Sequence, residues 1–122
     1  MDDARNAVRE IEMIALASDT LIELVSMTKD AGDYKYFQAV RVSKSLHQSN
    51  LGKRKVYGGR QDKYRIIEVL DPLVDSGLVL KATLIGELGN VYGGGSGVGY
   101  RADISNVKGI EEFIKSKSEE LK

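Results

Sequence analysis

Residues 70–79 have the sequence Leu-Asp-Pro-Leu-Val-Asp-Ser-Gly-Leu-Val, in which Ser76-Gly77 ends one segment and a β-rich run follows. Asp62 is a good N-cap for a helix leading into this stretch. The apolar residues of that helix fall on one face: Ile66, Ile67, Leu70, Leu73 and Val74. Pro72 is awkward there, because an interior proline costs about 3 kcal/mol and tends to kink a helix. Two interpretations stay open: the helix breaks at Asp71, or residues 65–70 form a strand.

The residues after Gly77 predict a β-hairpin over 78–104. Residues 78–85 form the first strand and residues 98–104 the second. The loop between them, residues 86–99, holds seven glycines and is interpreted as a flexible tip. Its glycine spacing does not match Gly-x-Gly-x-x-Gly, so the tip is not a phosphate-binding loop. Ser105 or Asn106 then caps a final helix.

The residues before Asp62 predict two further helices. Apolar side chains recur at helical spacing over residues 4–29, and Gly32 is a plausible C-cap for that long helix. Residues 34–42 alternate as a short strand would, although a helix from Phe37 explains the pattern nearly as well. Ser43 is then expected to cap a short helix over residues 44–49.

The composition of the chain excludes several classes of protein and of binding site. The chain has 122 residues, enough for a single domain. It has no cysteine and one histidine, which excludes disulfide frameworks, thiolate metal sites and histidine-cluster metal sites. No apolar run approaches the roughly 20 residues that span a bilayer, and the start is not that of a signal peptide. We therefore expect a cytoplasmic protein with no membrane association, no cofactor, no metal and no enzymatic constellation.

The predicted element order, a helix, a short strand, two helices, a hairpin and a helix, resembles a winged helix-turn-helix domain. Residues 70–79 resemble the end of a recognition helix that enters the first wing strand, and residues 100–104, Tyr-Arg-Ala-Asp-Ile, resemble the returning strand. The chain departs from the family at Pro72 and in the roughly 11 residues between the second and third helices. The resemblance implies an α+β fold with a winged-helix core over 34–104, a wing over 78–104, and added helices over 1–33 and 105–122.

Charge is unevenly distributed, although 18 basic and 18 acidic residues balance overall. Residues 35–65 hold nine basic residues and one acidic residue, whereas the flanking regions are both acidic. A concentrated positive charge of this kind is typical of surfaces that meet nucleic-acid phosphates.

The resemblance places this basic block on the elements that the family presents to DNA. It implies that Arg60, Lys63 and Arg65 lie at the first turn of the recognition helix. The complete candidate DNA-binding set is Arg41, Lys44, Lys53, Arg54, Lys55, Tyr57, Arg60, Gln61, Lys63, Tyr64, Arg65 and Arg101.

The function expected from this resemblance is sequence-specific binding of double-stranded DNA by a transcriptional regulator. In this interpretation the N- and C-terminal helices form a homodimer, so that two recognition helices meet two half-sites. Two alternatives stay open: a winged-helix protein–protein adaptor or RNA-associated module, and an α+β domain without a nucleic-acid role in which residues 65–70 form a strand.

Overall fold

The structure is a computed structural model and describes residues 2–32, 35–49, 57, 60–84, 91–92 and 97–121. Within these ranges the chain is α+β, with four helices and a small sheet. The elements are α1 (Asp2–Ala31), β1 (Tyr36–Phe37), α2 (Ala39–Gln48), α3 (Lys63–Asp75), β2 (Val79–Leu84), β3 (Val91–Tyr92), β4 (Gly97–Ala102) and α4 (Val107–Glu120). None of the helices in the described ranges is long and apolar enough to cross a membrane.

Strand β4 lies inside the sheet, whose order is β2-β4-β1-β3. It pairs antiparallel with β2 from Val79 opposite Ala102 to Leu84 opposite Gly97, which confirms the predicted pairing of these two strands. The loop predicted over 86–99 is wrong at residues 91–92 and 97–99, which are strand, and its other residues lie outside the described ranges. On its other side Phe37 of β1 lies opposite Tyr100, also antiparallel. The two-residue strand β3 pairs parallel with β1 and was not predicted, because two residues are too few to show an alternating pattern.

Helix α3 runs continuously from Lys63 to Asp75 and contains Pro72. Both the predicted break at Asp71 and the strand over residues 65–70 are therefore wrong. The helix is held at both ends: the Asp62 carboxylate accepts the Arg65 N–H at 2.9 Å, and Gly77 adopts a positive φ of 78°. That turn lets the Leu78 N–H donate to the Leu73 carbonyl at 3.0 Å, closing a Schellman-type cap. Its apolar face is buried, which offsets the hydrogen bond lost at proline.

Of the strand predicted over 34–42, residues 36–37 are a strand and Tyr34 lies outside the described residues. The prediction is wrong from Ala39 onward, where helix α2 begins close to the alternative helix from Phe37. Val42 is fully buried whereas Val40 is 46% exposed, although a strand would place both on one face. Ser43 is buried inside the helix and donates its hydroxyl to the Gln61 carbonyl, so it does not cap the helix. Helical spacing of the buried Ala39, Val42 and Leu46 explains the outcome.

The long helix α1 packs against the other elements through its middle and C-terminal turns. Leu16, Leu21 and Leu24 are fully buried, and Gly32 ends the helix with a φ of 64°, as predicted. The Thr28 hydroxyl donates to the Leu24 carbonyl at 2.7 Å and accepts the Ala102 N–H at 3.0 Å, which fastens β4 to α1. At the other end of the chain, the Asn106 side chain caps α4 by accepting the Gly109 N–H at 3.1 Å.

Candidate nucleic-acid interface

Three exposed cations lie where α2 meets the start of α3. Lys44 is on the outer face of α2, and Arg60 and Lys63 flank the first turn of α3. The hydrogen bond from the Ser43 hydroxyl to the Gln61 carbonyl joins these two segments. It therefore brings Lys44, which follows Ser43, close to Arg60, which precedes Gln61. None of the three cations forms an ion pair with a described residue. We call Lys44, Arg60 and Lys63 the basic cluster.

The position of the basic cluster is unfavourable for the stability of α3. A helix N-terminus carries the positive end of the helix dipole, and cations there cost a few tenths of a kcal/mol, up to about 1 kcal/mol. The Asp62 carboxylate relieves part of this repulsion and accepts the Arg65 N–H. A bound phosphate would therefore meet the Arg60 and Lys63 side chains more readily than the helix N–H groups.

Tyr64 adds an aromatic ring to this surface. It is 67% exposed, and the Lys63 Nζ lies 5.1 Å from the centroid of its ring. An exposed tyrosine beside a cation can pack on a base or sugar and donate a hydrogen bond at once. Tyr64 therefore adds an exposed aromatic ring with a hydrogen-bonding group to the surface beside the basic cluster.

Two predicted contact residues, Tyr57 and Gln61, face inward and anchor the segment before α3. Tyr57 is buried, and its hydroxyl donates to Asp19 Oδ2 of α1 at 2.8 Å. The Gln61 side-chain amide donates to the Tyr57 carbonyl at 2.6 Å and is half-buried. These hydrogen bonds hold the entry into α3 against α1, and they engage the Tyr57 hydroxyl and the Gln61 amide in the interior.

Arg65 also binds within the protein. Its Nη2 lies 3.3 Å from Glu12 Oε2 of α1, and the side chain is about one quarter exposed. This ion pair spans from α3 to α1 across 53 positions of sequence. The sequence carries no signal of such a partner, because the pairing depends on how the two helices pack.

Arg101 lies in the interior at 7% exposure. Its guanidinium carbon is 5.9 Å from the centroid of the Tyr36 ring. The side chain would have to leave this position to reach DNA, so it does not belong to the exposed surface. Of the other predicted contacts, Arg41 is half-buried on α2, and Lys53, Arg54 and Lys55 lie outside the described residues.

The outer face of α3 beyond its first turn is acidic, which the sequence reasoning missed. Glu68 and Asp75 are exposed, and Asp71 is half-buried at the hairpin. The signal was available in the helical periodicity, since these positions oppose the buried Ile66, Leu70 and Leu73. The acidic face was not predicted because its residues follow Arg65, where the predicted basic block ends.

Asp71 connects α3 to the hairpin through two partners. Its Oδ1 accepts the Tyr100 hydroxyl at 2.9 Å and lies 3.1 Å from the Lys81 Nζ. The hydrogen bond to Asp71 is the main cause that raises the pKa of Lys81. Burial, followed by the hydrogen bond to Asp71, raises the pKa of the Tyr100 hydroxyl. The hairpin is thereby fixed in position relative to α3.

Comparisons with protein-family models, with curated proteins and with solved structures each found no match to this chain. Within the part of the chain that the structure describes, no group of three or more His, Asp or Glu side chains could hold a metal ion.

Proposed function

We propose that the chain is a winged-helix protein that binds double-stranded DNA sequence-specifically and acts as a cytoplasmic, homodimeric transcriptional regulator. The topology supports this proposal, because β1 and β2 both pair with β4 beside the α2–α3 helix pair. A helix pair beside a paired β2 and β4 is compatible with the winged-helix resemblance of the sequence. The role proposed is binding, not catalysis.

The observation that carries the proposal is the basic cluster. Lys44, Arg60 and Lys63 are exposed, lie on adjacent segments and form no ion pair with a described residue. Two of them also oppose the dipole of α3, so they lower stability where they are. Cations in such a position are well placed to release counterions from DNA phosphates.

The acidic outer face of α3 restricts how DNA can approach. Laying α3 lengthwise in the major groove would bring Glu68 and Asp75 towards phosphates, and like charges repel. We therefore propose that the N-terminal turn enters the groove end-on. Tyr64 would reach base edges, and Lys44, Arg60 and Lys63 would hold the flanking backbone.

The test is a DNA-binding titration at several salt concentrations, measured by fluorescence anisotropy with a duplex pool. The log–log slope should be about −0.9 per phosphate neutralised. The double variant Arg60→Ala/Lys63→Ala should weaken binding and reduce the slope by about 1.8 per protomer.

The matched control is Lys108→Ala/Lys115→Ala, which removes the same charge from exposed positions on α4. Its slope and affinity should stay near those of the natural chain. Absence of duplex binding at low salt, or equal losses in the two double variants, would contradict the proposal.

A second candidate is an adaptor or RNA-associated module, and the acidic face of α3 favours its protein-binding form. Glu68 and Asp75 suit a basic partner better than DNA. Competition between duplex DNA and structured RNA for the chain separates the nucleic-acid alternatives. The adaptor is favoured if the chain binds neither duplex DNA nor structured RNA, and if the Glu68→Lys variant also binds neither.

A further inference from the structure

A groove of about 250 Å³ lies between α1, α3 and α4, away from the basic cluster. Its floor is apolar and comprises Met13, Ile14, Val69, Pro72, Leu73 and Phe113. Two carboxylates, Glu10 and Glu68, lie at its rim and are exposed. An apolar floor with a few polar groups at the edge is typical of small-molecule sites.

The polar groups at the rim are mainly hydrogen-bond acceptors. Neither Glu10 nor Glu68 forms an ion pair with a described residue, and an ionised carboxylate can only accept. Pro72 also lines the groove, and it has no N–H to donate to the Glu68 carbonyl four residues earlier, so this carbonyl lacks its helical hydrogen bond. A ligand that satisfies this rim must therefore donate hydrogen bonds, and a positive charge strengthens them.

Lys117 is the one cation among the described residues that line the groove, and its charge is already compensated. Its Nζ lies 3.0 Å from Glu120 Oε2 and 5.3 Å from the centroid of the Phe113 ring. An ammonium group therefore already lies near the aromatic wall of this groove, which is a favourable environment for cations. The uncompensated charge at the rim is negative.

We propose that this groove binds an amphiphilic amine, with an apolar or aromatic body on the floor and the ammonium N–H groups directed to Glu10, Glu68 and the Glu68 carbonyl. An anion of the same size would meet two uncompensated carboxylates. This inference does not depend on DNA binding, and its test uses the chain alone.

The test is isothermal titration calorimetry of the complete chain with phenethylamine as the probe. Two analogues separate the contribution of the positive charge from that of the N–H hydrogen bonds. 3-Phenylpropionate reverses the charge, and phenethyltrimethylammonium keeps the charge but has no N–H. Phenethylamine should bind most tightly, the quaternary analogue more weakly, and the carboxylate not detectably.

Three variants and one control variant locate the site. Glu10→Gln and Glu68→Gln should each weaken phenethylamine binding by about three- to tenfold, whereas Glu112→Gln, on α4 outside the groove lining, should leave it unchanged. Pro72→Ala restores the missing N–H, so it should raise the melting temperature and still weaken amine binding. A merely structural role for Pro72 would change stability without changing the affinity for the amine.

Three results would overturn the proposal. The first is no binding of phenethylamine, and the second is equal binding of 3-phenylpropionate. The third is a second copy of the chain that covers the groove, detected as a dimer cross-linked through Ile14→Cys. A failure of DNA binding would leave this inference unaffected.

Discussion

At the scale of single residues, Tyr57 shows how a side chain chosen for DNA contact can instead hold the protein together. Its hydroxyl reaches Asp19, 38 positions earlier, inside the protein. Tyr57→Phe should lower the free energy of unfolding by about 1–3 kcal/mol, because a buried hydrogen bond to a carboxylate is lost. Urea denaturation measures this. Tyr64→Phe, with its ring exposed, is the control and should change stability by less than about 0.5 kcal/mol.

Asp62 has opposite effects on stability and on the proposed DNA contact. Asp62→Ala removes the helix cap and should cost about 1 kcal/mol of stability. It also removes the one acidic residue within 35–65, so duplex affinity should rise. Asp62→Asn separates the two effects, since asparagine caps nearly as well without the charge. A rise in affinity with Asn and a loss of stability smaller than that of Ala are expected; equal affinity for all three chains would contradict the proposed surface.

At the scale of elements, Asp71 couples α3 to the hairpin in a pH-dependent way. The folded pKa values of Lys81 and Tyr100 are both raised, so their protonated forms are favoured in the folded state. Their contribution is fully present below the ordinary values of 10.5 and 10.0 and is lost as the pH rises through the folded pKa values.

The urea midpoint should therefore fall above about pH 10. Tyr100→Phe should reduce stability at neutral pH and make the alkaline decline shallower, and a matched series of urea titrations measures both. Lys108→Met is the control on α4, where no such partner is described. An alkaline decline that is identical in Tyr100→Phe would show that the Asp71 cluster does not contribute.

The sequence predicted elements whose signals are local and failed where distant residues decide. The cap at Asp62 and the helix end at Gly77 are short-range patterns that were predicted, and Asn106 was one of the two caps predicted for α4. The start of α2 depends on which residues the rest of the chain buries. The apolar residues of 34–42 fit a strand nearly as well as a helix, so the sequence alone did not decide between the two. Distant contacts also decide the surroundings of two candidate site residues. In sequence, Arg65 and Arg101 are indistinguishable from exposed cations, whereas in the fold Arg65 pairs with Glu12 and Arg101 lies near the Tyr36 ring.

At the scale of the whole molecule, the exposed first turns of α1 are the surface proposed for dimerisation. Val8 and Ile11 are 55% and 49% exposed, and they lie on a different face of α1 from Glu10 and Met13 of the groove. The natural chain should sediment as two copies of 13.4 kDa, and Ile11→Asp should shift it to one copy with unchanged circular dichroism. Val40→Asp, which places the same charge at an exposed apolar position on α2, is the control. Sedimentation of the natural chain as a single copy at micromolar concentration would contradict the dimer.

The central place of β4 sets the order in which a newly made chain can complete its fold. β1 and β2 each depend on β4 for antiparallel pairing, and Thr28 of α1 hydrogen-bonds to Ala102 at its end. Pairing of Phe37 with Tyr100 closes a long stretch of chain, which is a slow step in folding. On the ribosome, the sheet therefore cannot close until residue 102 has emerged. Until then, the apolar side chains of α1 that pack against β4 remain uncovered. The nascent chain is most prone to aggregation and to chaperone binding during this interval.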